Sequence, residues 1–150
     1  MMDFFQTLLL GSILAPCIAS LAILFFFLND KDRAVKIAYF AFGFPCIAGV
    51  ILFFNFDPSE TGYAYQILYE RMGLQSLGIT FHLGLNGVSA PLFAMAGVVG
   101  LAAGLVAVNS NVERLPLYLS LLAFMQSGLM GLFASVDLLF YYLFHEFALI

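Results

Sequence analysis

Residues 4–28 read FFQTLLLGSILAPCIASLAILFFFL, a run with no charged side chain. About 20 apolar residues in a helix cross the ~30 Å hydrocarbon core of a bilayer, so this stretch is long enough to span one. A membrane strand would alternate apolar and polar positions over about ten residues. LAILFFFL at 21–28 is continuous instead, which selects a helix. Working outward, residues 37–56, 72–112 and 115–136 are also free of charge. Complete spans are expected at about 4–28, 35–56, 90–108 and 115–134, with a fifth that begins near Asp137 and stops at Ile150, short of a full crossing. The expected fold is therefore all-α, a polytopic transmembrane helix bundle of four complete spans and a truncated fifth, forming a single membrane domain over residues 1–150.

Composition agrees. The chain is 63% hydrophobic and 9% charged, with 18 Phe, 7 Tyr and no Trp. A soluble domain uses ~25% charged residues to cover its surface. The balance excludes a disordered chain, a basic nucleic-acid binder and an enzyme with a water-exposed cleft. It leaves the lipid bilayer as the surroundings of the chain. No Gly-rich phosphate loop follows a strand and no cysteine cluster exists, so no nucleotide, flavin or iron–sulfur cluster is expected on this chain. The N-terminal run lacks the basic residues of a secretory signal and continues to Leu28, which makes it a retained span.

The polar residues sit in the connections. Asn29 to Lys36 carries three of the five basic residues and Asn109 to Arg114 another, whereas Asp57 to Leu83 carries only Arg71 against Asp57, Glu60 and Glu70. Positive charge marks the cytoplasmic side, so the first and third connections are placed inside and the N-terminus outside. In the second connection Tyr65, Leu68, Tyr69 and Met72 recur at helical spacing, an expected amphipathic turn in the headgroup layer or against a neighbouring subunit. Cys17 and Cys46 fall mid-span in similar Pro-Cys-Ile-Ala contexts; with no ligand-type residue at suitable spacing they read as small residues beside proline kinks, and no metal is expected. Ala96, Gly100 and Gly104 form a small-residue stripe on the third span that lets another helix backbone approach. His82 before that span reads as an interfacial hydrogen-bonder and Gln126 in the fourth as an interhelical one, with proton entry the alternative for His82.

The decisive residue is Glu146, in the segment Asp137-Leu-Leu-Phe-Tyr-Tyr-Leu-Phe-His-Glu146. Counted from Asp137 at 1.5 Å per residue it lies roughly 13 Å along the fifth helix, near the bilayer centre. Insertion of a charged side chain there costs roughly 2.5–3.5 kcal/mol, so the carboxyl must be protonated, paired or beside water. A carboxyl whose protonation depends on a movable partner can relay protons; the structural alternative is a hydrogen bond to a neighbouring helix. Tyr142, one turn earlier, shares its face and can hydrogen-bond the carboxyl, while His145 points about 100° away. Asp137 sits where the fifth helix begins and suits a cap, with a role at the outer end of a proton path second. No Lys or Arg lies in the interior of any span, so a partner for Glu146 must come from elsewhere.

Two stretches carry a resemblance. Phe81-His82-Leu83-Gly84-Leu85-Asn86-Gly87-Val88-Ser89, and Gly128 to Glu146 (GLMGLFASVDLLFYYLFHE), resemble the antiporter-like membrane subunits of proton-pumping NADH–quinone oxidoreductase, respiratory complex I, most closely the chain M type equivalent to mitochondrial subunit 4. The resemblance implies that Glu146 matches the family's essential fifth-helix glutamate, paired with a lysine on a later broken helix. It further implies that NADH, FMN, iron–sulfur clusters and quinone belong to partner subunits, and that the membrane is most simply a bacterial inner membrane. Members have about fourteen helices in inverted repeats, so this chain corresponds to an N-terminal portion. Asn86 stands where Asp is usual, His145 where Trp is common, and the partner lysine is absent. A multisubunit cation/proton antiporter shares these motifs, and a non-catalytic scaffold or nonfunctional fragment would share the spans.

Overall fold

The computed structural model describes residues 3–57, 62–69 and 80–149. Its elements follow in the order α1 (Phe4–Phe26), α2 (Lys31–Phe54), β1 (Ala64–Tyr69), β2 (Phe81–Leu85), α3 (Ser89–Val108), α4 (Leu115–Ala134) and α5 (Leu138–Leu149). α1 to α4 contain 23, 24, 20 and 20 residues and are apolar enough to cross a membrane. α2 begins at Lys31, earlier than its apolar run, because Asp30 caps it: the Asp30 carboxylate accepts a hydrogen bond from Arg33 N–H at 3.1 Å and an ion pair from the Arg33 side chain at 3.1 Å. Hydropathy marks the part of a helix that lies in lipid, whereas the cap marks where the helix starts.

α1 packs on α2, α2 on α3, α3 on α4 and α4 back on α1, so four helices close into an up-and-down ring, with α2 and α4 also meeting across it. α5 sits outside the ring against α4. The distribution of side-chain size is the reverse of a soluble bundle. Ala34, Ala38, Ala41 and Ala48 are fully buried in α2, whereas Phe40, Ile47 and Phe54 of the same helix are 60%, 62% and 80% exposed. Small residues inside allow close helix approach, and large apolar ones outside meet lipid chains at no cost. Together with the helix lengths this makes the chain a polytopic helical membrane protein.

Its interior has two layers. Ala19, Ala38, Phe42, Leu115 and Leu119 pack at the end that carries the α1–α2 and α3–α4 connections. Leu9, Ile13, Leu52, Phe93 and Met130 pack at the other end, capped by Ile67, Leu83 and Leu85 from the strands.

Hydrogen bonds stitch α4 to its ring neighbours. Ser127 Oγ donates to Ile13 O at 2.7 Å, Ser120 Oγ to Ser20 O at 2.9 Å, and Gln126 Nε2 to Ala96 O at 3.1 Å. The small-residue stripe of α3 works differently from expectation. Gly97 is where backbones meet, since a Cβ there would lie 2.8 Å from Pro45 O, whereas Gly100 makes room for the Gln126 amide and Gly104 for the Phe42 ring. Thus the glycines admit side chains as well as a helix backbone. Gln126 Oε1, buried and without a hydrogen-bond partner among the described residues, lies against Gly100.

The second connection overturns one expectation. Residues 64–69 are not an amphipathic turn but strand β1, antiparallel to β2, with Ile67 opposite Leu83, Leu68 opposite His82 and Tyr69 opposite Phe81. Period two places Leu68 and Tyr69 on opposite faces, so the helical stripe dissolves; Met72 lies outside the described residues. The pattern Tyr-x-x-Leu-Tyr fits both periods when read alone, and pairing with a segment a dozen or more positions away decides between them. A register shift between Ala64 and Ile67 accompanies a positive φ of 56° at Tyr65. There the Tyr65 hydroxyl donates to Leu52 O at 3.2 Å, anchoring the ribbon to the end of α2.

Candidate functional site

α5 is built on an interface with α4 that hydrogen bonds do not dictate. Gly128 and Gly131 open a groove on α4: a Cβ at Gly128 would lie 2.7 Å from Ala148 N, and one at Gly131 would collide with the Phe144 ring. Phe144 fills the groove and is the buried residue of α5. Phe147 meets Phe124 at 5.1 Å with the rings tilted by 40°, and Phe140 meets Phe81 of β2 edge-on at 4.9 Å and 87°. Phe140, Phe144 and Phe147 share one side of the helix at i, i+4 and i+7, which fixes the opposite side as the one facing away from the ring.

Glu146 is on that opposite side and exposed, as is Tyr142, which is 64% exposed. Their i, i+4 spacing places the phenol of Tyr142 and the carboxyl of Glu146 on one face, within electrostatic reach of each other. His145 lies at the flank, its ring stacked on Tyr142 at 6.4 Å, with Nδ1 buried and unpartnered among the described residues. Asp137 caps the helix: its Oδ1 accepts from Leu139 N–H at 2.8 Å. The sequence-derived set therefore separates into Glu146 with Tyr142 on one face, His145 beside them and Asp137 at the helix start. Among the described residues Glu146 forms no ion pair, and no group of three or more His, Cys, Asp or Glu side chains could hold a metal.

The sequence reading missed the seat of α5. Gly128 and Gly131, three apart on α4, were the available signal, and the partner they receive is a phenylalanine rather than another small residue. It missed too the tie between β2 and the α4–α5 turn, where Leu83 bridges Ser135 and Val136 N–H donates to His82 O at 3.0 Å.

No family model matches the chain. Individual proteins do. Subunit M of NADH-quinone oxidoreductase from Rickettsia felis is 31% identical over 144 residues, which cover 93% of this chain and 29% of that protein. Chain 4 of NAD(P)H-quinone oxidoreductase from Prochlorococcus marinus (strain MIT 9303) is 30% identical over 144 residues, 93% of this chain and 24% of that protein. The chain is of the subunit M/chain 4 type. It spans less than a third of the length of these relatives, at 29% and 24%.

For a chain of the M/4 type, the Asn86 departure has a local explanation. Asn86 Oδ1 accepts from Val88 N–H at 3.0 Å and Ser89 N–H at 2.8 Å, and Ser89 Oγ accepts from Asn86 N–H at 2.9 Å. This reciprocal pair is a capping arrangement that satisfies the free N–H groups opening α3. Asn and Asp cap about equally well, so the M/4-type helix start survives the exchange.

Proposed function

We propose that this chain belongs to a membrane subunit of proton-translocating NADH–quinone oxidoreductase and that Glu146 is a proton-relay carboxyl within it. One observation carries the reading: the single acidic residue deep in a span lies on the face of α5 that the described helices leave uncovered. A carboxyl there, at membrane depth, demands a partner of opposite charge, a proton or water. An approaching cation favours the ionised carboxylate and drives its proton off; a retreating cation favours the neutral acid. Tyr142, one turn away on the same face, can hydrogen-bond the carboxyl and pass a proton along that face. The cation would be supplied by another helix of the assembled protein, in keeping with the M/4-type relatives being several-fold longer.

On this reading electron transfer takes place on partner subunits, which hold NADH, FMN, iron–sulfur clusters and quinone. This chain contributes proton movement alone. The membrane is the bacterial inner membrane, with the N-terminus and the β1–β2 ribbon outside and the connections rich in Lys and Arg inside. The ends are consistent: Asn29 and Leu28 lie against Glu113 and Arg114 at one end, and Gln6 reaches Gln66 at the other.

The test is Glu146→Gln in the subunit assembled in native membranes. Expected are normal assembly and loss of most proton translocation per NADH oxidised. Lost assembly with unchanged translocation in whatever complex remains would make Glu146 a structural residue and sink the relay. A purified complex that lacks a NADH-oxidising partner but still exchanges cations for protons would move the chain to the antiporter class.

A further inference from the structure

α5 is held by α4 and also by the β1–β2 ribbon, which reaches the α4–α5 turn. Ser135 and Val136, between α4 and α5, are in extended backbone: Leu83 of β2 bridges Ser135, and Val136 N–H donates to His82 O at 3.0 Å. The ribbon therefore continues for one step into the α4–α5 turn. One position before His82, Phe81 projects onto Phe140 in the first turn of α5, at 4.9 Å and 87°. β2 itself is held from behind. His82 Nε2 lies 3.2 Å from Gln66 Oε1 on β1, and Gln66 O accepts from Gln6 Nε2 of α1 at 2.6 Å.

We propose that the β1–β2 ribbon is a positioning strap that sets the rotation of α5 about its axis and so the direction in which Glu146 faces. The proposal rests on Glu146 being the relay carboxyl. Its geometry is simple. On α4 the groove receives Phe144 and, at Gly128, the α5 backbone at Ala148, while Phe147 meets Phe124; these holds lie in the second half of α5. Phe140 lies one turn before Phe144 on the same side of α5, and clamping it against Phe81 fixes the first half of the helix, so that both halves resist rolling. Glu146 is roughly 200° around the helix from Phe144, so a roll by one residue's step of about 100° would turn it from its open face toward the flank. Phe81 and Val136 are positioning residues, neither of them touching Glu146.

The experiment uses the assembled complex in native membranes and cuts each tie separately. Phe81→Ala removes the ring clamp. Val136→Pro removes the N–H given to His82 O, and Ser135, with ψ at 129°, already has the extended backbone that a following proline demands. The positional readout does not depend on activity. With Glu146→Cys as the sole thiol of residues 1–150, in a Cys17→Ala, Cys46→Ala background and with labelling at 146 read by peptide mapping, maleimide labelling is expected to change by about fivefold or more when either tie is cut, a population shift of ordinary size for one lost contact. Phe81→Tyr keeps the ring and is expected to restore the original rate. With Glu146 present, Phe81→Ala is expected to lower proton translocation per NADH while assembly is retained, and Phe81→Tyr to recover it. Unchanged labelling in assembled Phe81→Ala and Val136→Pro complexes overturns the strap. If Phe81→Ala alone prevents assembly, Phe81→Leu, which keeps the volume without the edge-on ring, decides by the same labelling. Should Glu146→Gln leave translocation intact, the relay fails while labelling at 146 still decides the strap.

Discussion

The two sides of α4 are built by different rules. Toward α1 and α3 it presents Ser120, Ser127 and Gln126, each donating to a backbone carbonyl of the neighbouring helix. Toward α5 it presents Gly128 and Gly131, which receive a phenylalanine and a helix backbone. In lipid no hydrophobic force drives helices together, so association depends on close packing and hydrogen bonds. The ring has both, and every one of its helices has two neighbours. α5 has packing on one helix plus the ribbon's clamp, which leaves one whole face uncovered by the described residues. That face carries Glu146. If Glu146 is the proposed relay carboxyl, a helix held on one side only leaves it free to meet a partner on the other.

The contrast can be broken most severely at Gly131. Gly131→Leu would place atoms inside the Phe144 ring, and overpacking of this kind costs about 1–3 kcal/mol, here concentrated on α5. Disulfide formation between Phe124→Cys and Phe147→Cys is expected to fall sharply, with the detergent-unfolding midpoint of the ring little changed. Should the ring unfold as well, α5 is no appendage. Gly100→Leu tests the other side: it collides with Gln126 and is expected to destabilise the ring itself by about 1–3 kcal/mol, with Gln126→Ala relieving part of the loss. Reversible unfolding of the single and double variants gives the coupling, and additivity would show that the two residues do not share a site. Asn86→Ala is expected to cost about 1 kcal/mol by uncapping α3, with Asn86→Asp within a few tenths of the parent, both read from the same unfolding curves. Ser127→Ala is the mildest, about 0.6 kcal/mol for an interhelical hydrogen bond in a membrane. A larger loss would mean that the polar seam, more than the glycines, holds α4 to α1.

Much of the architecture is legible in residue order. α3 and α4 lie over Ser89–Val108 and Leu115–Ala134, against expected spans of about 90–108 and 115–134, because charge and capping residues change abruptly at their ends. Asp137 as a helix start is legible for the same reason. The ribbon is not. Tyr65, Leu68 and Tyr69 suit a helix face as well as a strand, and only Leu83 and Phe81 arriving from the far side of the connection choose the strand. The side on which Glu146 would lie was half legible: spacing grouped it with Tyr142, but which way the pair points depends on Phe144 finding the Gly128–Gly131 groove.

By itself the sequence determined that the chain crosses lipid, where its four long spans lie, and that one carboxyl is carried into the fifth helix. Hydropathy and charge act residue by residue along the chain, so they need no knowledge of neighbours in space. The tertiary structure alone decided that four helices close into a ring, that the polar connection becomes a ribbon clamped to the α4–α5 turn, and that Glu146 faces outward. Those outcomes turn on shape complementarity between segments far apart in sequence, glycine against phenylalanine and strand against strand. Such complementarity exists only once the segments have met.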